Sequence, residues 1–549
     1  MLKFKTVRPE WVTLIASAFL LVGFNSVLWL HLFEITASDA KGVVMRVAFG
    51  LMILAAFNIV LTLLAFRPVF KPMLTVIFMV SAGVAYFMSQ YGVLIDTGML
   101  RNFAQTNATE VRDLLSLKLF GYIILLGILP SWLLWKTPIN YRRWHRELLS
   151  KVLVTVASVA VIGGGQAGLS MSYHLTSKEI DHVVLERNQI GHSWRNQRWD
   201  SFCLVTPNWQ CNLPDFPYAG PEPKGFMKKA DIVAYLEAFA ASFQPPVFEG
   251  VAVKQLLKLE DGLFEIQSTH GTLTAKQVVV AVGGYHKPRI PRVSEKIPGH
   301  IQQIHSSEYR NPDQLPEGNI LVIGSGQSGC QIAEDLHLAG RRVHLSVGSA
   351  PRVARRYRGR DVVEWLAEMG HYDMPVELHP QKEAVRGKAN HYVTGRDGGR
   401  DIDLRMRAKE GMQLHGRLTD CVNGVLGFAD DLTKNLDNAD QSSENIKNMI
   451  DGFMTKHGIS APDEARYIPV WKPEGGNSRI DLISENISGI VWSVGFESSF
   501  DWIDLPIFNG KGYPNHYRGV SREPGVYFLG LPWLHTWGSG RFSGVARDS

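Results

Sequence analysis

Two clusters of glycine carry the chemistry legible in this 549-residue chain. Gly163-x-Gly165-x-x-Gly168 follows an apolar run at 159–162, and Gly324-x-Gly326-x-x-Gly329 follows one at 320–323. In each, the first glycine permits a tight turn, the second leaves backbone bare, and the third lets a helix start close to its strand. The free N–H groups of that helix then form a seat for a pyrophosphate. The strand after the first cluster ends in Glu186, 23 residues past Gly163. A carboxylate at that spacing suits a free ribose 2′-OH. The strand after the second cluster, 342–346, ends without an acid, and Arg352, Arg355 and Arg356 come shortly after it. Missing acid and nearby arginines suit a 2′-phosphate. The residues therefore suit FAD or NAD at the first turn and NADPH at the second, and two dinucleotides argue for hydride transfer between them.

From about residue 157 to the end, the chain resembles the flavin-containing monooxygenases. It looks most like a bacterial branch of flavoproteins labelled as linked to potassium transport. The resemblance rests on both glycine clusters and on Gly191-His-Ser-Trp194, which looks like the family's G-x-x-W. It also rests on the crossover Ala281-Val-Gly283-Gly-Tyr-His286-Lys-Pro288, and on the late strand Val491-Trp-Ser-Val-Gly495. Trp194, Gly283 and Gly495 thus join the cofactor-binding set. The resemblance implies that NADPH reduces FAD, and that a flavin hydroperoxide then oxygenates a small nucleophilic or carbonyl substrate with O₂. Asn208, in Thr206-Pro207-Asn208, falls where the family places an asparagine near the flavin ring; a turn role is the alternative. His286 in the crossover is a second catalytic candidate, and loop anchoring is its alternative. Two departures stand out: Ile301 four residues before His305, where the family has glycine, and Gly530-Leu531 where related flavoproteins have Gly-Asp.

The elements that carry these turns read as α/β, but the first 150 residues do not. Apolar runs at 11–32, 47–66, 73–91 and 119–135 each approach the ~20 residues that cross ~30 Å of hydrocarbon. The expected fold is an α-helical membrane domain of about four helices over 1–150, then a two-dinucleotide-binding, double Rossmann-like flavoprotein. Its FAD domain would span 157–300 and 480–549, and its NADPH domain with an insertion 301–479. The segment 152–162 offers only 11 uninterrupted apolar residues, and its end is needed as the first Rossmann strand, so a strand is expected there. Positive charges at Lys3, Lys5 and Arg8, at Arg67 and Lys71, and from Lys136 to Lys151 place both ends of the helical segment in the cytoplasm. The expected location is the bacterial inner membrane, multi-pass, with lipid around 1–150 and the flavin domain cytoplasmic.

This segment resembles the membrane domain of the lipid A phosphoethanolamine transferases, from about Phe4 to Ile162. Asn102, Thr106 and Glu110 share a helical face that in that family lies beside the catalytic centre and the lipid headgroup; an ordinary amphipathic periplasmic helix is the alternative, and the one favoured. The transferase's zinc domain is not found after it, so headgroup transfer is not expected. The four cysteines show no C-x-x-C, and no His/Cys spacing suits a metal. Cys330, in the first turn of a helix, is either a thiol of lowered pKa or a packing residue. A net charge of +5 and one basic stretch at 352–360 without stacking aromatics give no nucleic-acid signature. Two alternatives remain: an NADPH oxidase or dehydrogenase without oxygen transfer, and an inactive fusion or redox-sensing membrane protein.

Overall fold

The computed structural model describes residues 9–25, 28–29, 32–33, 36, 40–65, 69–91, 116–137, 156–475 and 478–549. The chain divides into two compact units, 1–154 and 155–549. The face at Asn102, Thr106 and Glu110 lies outside the described residues, as do Lys3, Lys5, Arg8, Arg67 and the basic residues from Arg142 to Lys151.

The first unit is helical: α1 (Pro9–Gly23), α2 (Ala40–Leu63), α3 (Phe70–Tyr91) and α4 (Leu117–Lys136). Among the described residues, three segments are long and apolar enough to cross a membrane: Gly42–Thr62, Phe70–Gln90 and Leu117–Lys136. The first apolar run gives a shorter helix than its length in sequence implies. At 15 residues, α1 is about 22 Å long, short of the hydrocarbon core. Side chains beyond α1 take its last carbonyls: Asn25 Nδ2 donates to Leu20 O at 2.7 Å and Trp29 Nε1 to Leu21 O at 3.1 Å. Inside α4, the π-helical stretch Ile123–Ile128 precedes Pro130, whose ring and missing N–H prevent a regular i→i−4 ladder. Ala16, Leu20, Phe78 and Ala82 pack inward, while Val44, Met52, Ile59 and Val60 stand outward and exposed. An apolar outer face of this kind suits hydrocarbon rather than water.

The second unit is built on two main sheets, with smaller ribbons beside them. The segment at the junction is a strand, β1 (Val156–Ile162), not the end of a helix. It is followed by α5 (Gln166–Ser177), β2 (His182–Glu186), α6 (Lys229–Phe243) and β3 (Val247–Glu249). An antiparallel run comes next: β4 (Val253–Lys258), β5 (Phe264–Ser268) and β6 (Gly271–Val280). β1 lies between β2 and β6, parallel to both, and β3 extends the sheet beyond β2. Val159 and Val161 on one face of β1 and Ala160 and Ile162 on the other are all buried, which suits a strand covered on both sides.

After a short crossover strand β7 (Lys287–Pro288) comes the second sheet. Its members are β8 (Gln302–His305), β9 (Asn319–Ile323), β10 (Val343–Ser346), β11 (Gln413–His415) and β12 (Ile487–Trp492), in the order β8-β12-β9-β10-β11, all parallel. Helix α7 (Gln327–Leu338) follows β9 as α5 follows β1. The chain then returns through β13 (Phe496–Glu497), which pairs antiparallel with β7, and β14 (Val526–Phe528), which joins β6 in the first sheet. Between the two passages, helix α8 (Leu432–His457) supplies carboxylates to two buried arginines and a third that is half-buried: Asp440 to Arg352 at 2.7 Å, Asp437 to Arg405 at 2.6 Å, and Asp451 to half-buried Arg358 at 2.6 Å. Such pairs fix one arrangement of the inserted segment more than they stabilise it.

His344 on β10 and His415 on β11 stack ring on ring, with Nδ1 of the first 3.1 Å from Nε2 of the second. Burial, aided by Arg342, lowers the His344 pKa to about 4. In the unfolded chain an imidazole titrates near 6.5, so on acidification the unfolded state takes up the proton first. The contribution of His344 to stability is therefore full above about pH 6.5 and declines as pH falls towards about 4. Thermal melts across that window are expected to show a falling Tm, with a shallower fall in His344→Leu; equal slopes would contradict this.

Candidate active site

The two glycine turns are built alike. Gly163 has φ +112° and Gly324 φ +104°, and a Cβ on either would lie 2.6 Å from a backbone oxygen, Ala281 O or Ser493 O. A Cβ on Gly168 would lie 1.8 Å from Gly163 O, and one on Gly329 would lie 1.8 Å from Gly324 O. Helix and turn thus touch backbone to backbone at the third glycine. At the second glycine the opposite holds: a Cβ on Gly165 or Gly326 would meet nothing within 4 Å. No side chain caps the N-terminus of α5 or α7. Their first N–H groups are left for a ligand, and the open space lies in front of them. The residues present fit two dinucleotides.

The two turns differ at the end of the next strand. Ile162 pairs with Leu185, and Ile323 with Ser346, so Glu186 and Val347 occupy equivalent positions. Glu186 accepts N–H bonds from Gly164 at 2.7 Å and Asn188 at 2.8 Å. Each carboxylate oxygen keeps a lone pair for a ribose hydroxyl. Val347 is buried and carries no polar group; there the turn closes instead through Ser325 Oγ, which accepts the Gly348 N–H at 2.9 Å.

Two of the three arginines expected near a 2′-phosphate are occupied. Arg352 lies over the Tyr467 ring and pairs with Asp440. Arg355 pairs with Asp361 at 2.5 Å and donates to Val205 O at 2.7 Å, holding the segment that leads to Asn208. Both are buried. Arg356 is exposed.

The catalytic candidates also have structural partners. Asn208 is buried; its Nδ2 donates to Glu222 O at 2.9 Å, and its Oδ1 accepts the Met227 N–H at 2.7 Å. The side chain staples the loop 222–227 and keeps one N–H to spare. Asn208→Ala strands the N–H of buried Met227, while Glu222 O keeps the Gly225 N–H, and is expected to cost about 1–3 kcal/mol, read from thermal unfolding. Unchanged stability with lost oxygen transfer would instead put the amide in the chemistry. His286 has both nitrogens engaged: Nδ1 accepts the Ser499 N–H and Nε2 donates to Gly283 O, each at 2.9 Å. Burial lowers its pKa, consistent with this neutral tautomer. The ring has no nitrogen left for a flavin edge and anchors the crossover.

His305 matches it on the return pass, with Nε2 donating to Gly495 O at 3.1 Å. Gly283 (φ +72°) and Gly495 (φ +87°) turn the two linkers, and β7 and β13 zip them into a ribbon. Two histidines therefore fasten the two glycine corners between the sheets. Trp194 braces α5, its Nε1 donating to Gln166 Oε1 at 3.1 Å and its indole stacking 5.5 Å from Phe542. The positive-φ Gly530 passes so close to α5 that a Cβ there would meet Ala167 Cβ at 2.6 Å. Cys330 is packing rather than reactive: it is buried, burial pushes its thiol pKa up, and Sγ donates to Ser325 O.

The arginines Arg198 and Arg541 also border this region, through Trp194 and through Gly540 beside Gln166, but stand out in no motif. A family model described as pyridine nucleotide-disulphide oxidoreductase matches residues 160–402. Another, described as phosphoethanolamine transferase EptA/EptB, matches residues 53–185. The stretch common to both, 160–185, is β1, α5 and β2 in the structure. An uncharacterized CzcO-like oxidoreductase of Geobacillus kaustophilus (strain HTA426) is 31% identical over 398 residues, 72% of this chain and 96% of that protein. The probable indole-3-pyruvate monooxygenase YUCCA4 of Arabidopsis thaliana is 28% identical over 207 residues, 37% of this chain and 50% of that protein. A solved flavin-containing monooxygenase from Stenotrophomonas maltophilia superimposes with a TM-score of 0.49 at 18% identity, covering 71% of this chain and 95% of that one.

Proposed function

Because the chain belongs to the CzcO-like oxidoreductases, we propose that it is a membrane-anchored, FAD- and NADPH-dependent monooxygenase. The reaction is NADPH + H⁺ + O₂ + S → NADP⁺ + H₂O + SO, where S is a small nucleophilic or carbonyl compound. Bound flavin would supply hydride acceptance and oxygen activation. The observation that carries the reading is the pair of uncapped helix N-termini behind two glycine turns of the same geometry.

In this reading the α5 N–H groups hold the FAD pyrophosphate and Glu186 holds its ribose. The α7 N–H groups hold the NADPH pyrophosphate. Val347, in place of an acid, leaves room for a 2′-phosphate, and exposed Arg356 is the arginine of the three left to meet it. Asn208 and His286 are positioning residues: one fixes the loop at the flavin, the other the crossover. Oxygen transfer is supported by the monooxygenase among the relatives.

The three long apolar helices would anchor the protein in the bacterial inner membrane. The charge asymmetry read from the sequence would put the flavoprotein unit in the cytoplasm, where NADPH is made. Coupling tests the activity. One oxygenated product per NADPH, with little peroxide, is expected; equimolar peroxide without product would make it an NADPH oxidase.

A further inference from the structure

The arginines of the flavoprotein unit sort by what they touch. Arg352, Arg355, Arg358 and Arg405 each lie within 2.7 Å of a carboxylate. Arg341 donates to the carbonyls of Pro312, Leu315, Pro316 and Gly318. Arg541 has one carbonyl and, among the described residues, no carboxylate partner. Its guanidinium lies flat on the Trp537 indole, 3.8 Å from the ring centroid. Nη1 donates to Trp537 O, and Nη2 to Asn390 Oδ1 at 2.8 Å. Two of five N–H donors are used, and three remain. The titratable groups that act on it are the phenols of Tyr285 and Tyr372, not acids, and burial disfavours its charge. Arg541 is half-buried, and a partly desolvated cation without a carboxylate partner is stabilised by an anionic ligand.

The place of Arg541 argues which anion. Its neighbour Gly540 accepts a hydrogen bond from Gln166, the residue after Gly165, so Arg541 borders the flavin turn. Its polar partner Asn390 and the nearby Tyr372 come from the inserted segment, not from a glycine turn. The Tyr372 and Trp537 rings are 4.5 Å apart. A further aromatic, Tyr285, stands 58% exposed on the crossover. Aromatic side chains from three segments thus gather around one guanidinium at the edge of the cofactor. Another arginine without an acid partner, Arg198, lies 5.1 Å from the ring centroid of Trp194, which braces the α5 N-terminus itself. Arg198 is the one placed for a dinucleotide phosphate.

We propose that Arg541 anchors the carboxylate of an organic-acid substrate with a flat apolar body, oriented by Asn390 and walled by Trp537 and Tyr372. The assignment rests on the flavoprotein reading above. Phenylacetate and phenylacetamide are the probes, titrated into the FAD-loaded full chain in detergent and read by the perturbation of the flavin spectrum. The acid is expected to bind at least about tenfold more tightly than the amide, a comparison that needs no substitution. Arg541→Gln is expected to erase that preference and keep its flavin, Arg541→Lys to retain part of it, and Asn390→Ala to weaken the acid alone. Equal binding of acid and amide by the unmodified chain overturns the proposal. So does an Arg541→Gln protein that loses flavin or NADPH affinity but keeps the acid preference, because the guanidinium then holds a cofactor phosphate. A chain that takes up no FAD fails earlier, at the flavoprotein reading, and takes this assignment with it.

Discussion

Gly168→Ala is expected to yield a chain that folds its second sheet but no longer holds flavin. The added Cβ would sit 1.8 Å from Gly163 O and 3.0 Å from Gly163 C. Both are backbone atoms of the turn, so no rotamer change relieves the clash. Either α5 slides away from β1 or the turn opens, and each displaces the N–H groups that face the pyrophosphate. Overpacking against backbone costs at least about 3 kcal/mol, which corresponds to more than a hundredfold in FAD affinity. The measurement is flavin content per protein after desalting, beside Gly165→Ala as a comparison. A Cβ on Gly165 meets no atom of the chain. That variant should fold as well as the unmodified chain and lose flavin only because the ligand occupies the space. A yellow Gly168→Ala protein would remove FAD from the first turn.

The matching substitution in the second turn, Gly329→Ala, separates the two cofactors. Its Cβ would meet Gly324 O at 1.8 Å, in the same way. This protein is expected to keep its flavin and to be bleached by dithionite, yet to lose more than about a hundredfold in its rate of bleaching by NADPH. Stopped-flow absorbance without oxygen reads both rates. Normal reduction by NADPH would mean that the second turn does not hold the hydride donor.

The two turns were legible in the sequence because their demands are local. A positive φ at Gly324, or a backbone contact at Gly168, lies within a few residues of what requires it. Glu186 was legible because one strand–helix–strand unit fixes its spacing and returns it to the Gly164 N–H, 22 residues earlier. The arginines were not. Arg352 looked free because Asp440, which claims it, sits far along the chain on α8. Arg355 gave no sign that it would hold Val205 O across from the first fold. Asn208 and His286 could be placed near the flavin by resemblance, but their partners at Met227 and Ser499 appear only once the loops are closed. Arg541 belongs to no motif, and its interest lies in what is missing around it, which only packing reveals. At the other end, the length of the first apolar run could be read, but not the Asn25 side chain that takes the α1 carbonyls at its end.

The most direct measurement is an anaerobic absorbance titration of the purified full chain, in mild detergent, with NADPH and then NADH, followed by admission of air. The two-dinucleotide account predicts a yellow protein that NADPH bleaches at much lower concentration than NADH, and whose colour returns with oxygen. A chain that binds no flavin when FAD is supplied, or a flavin that neither nucleotide bleaches, would contradict it.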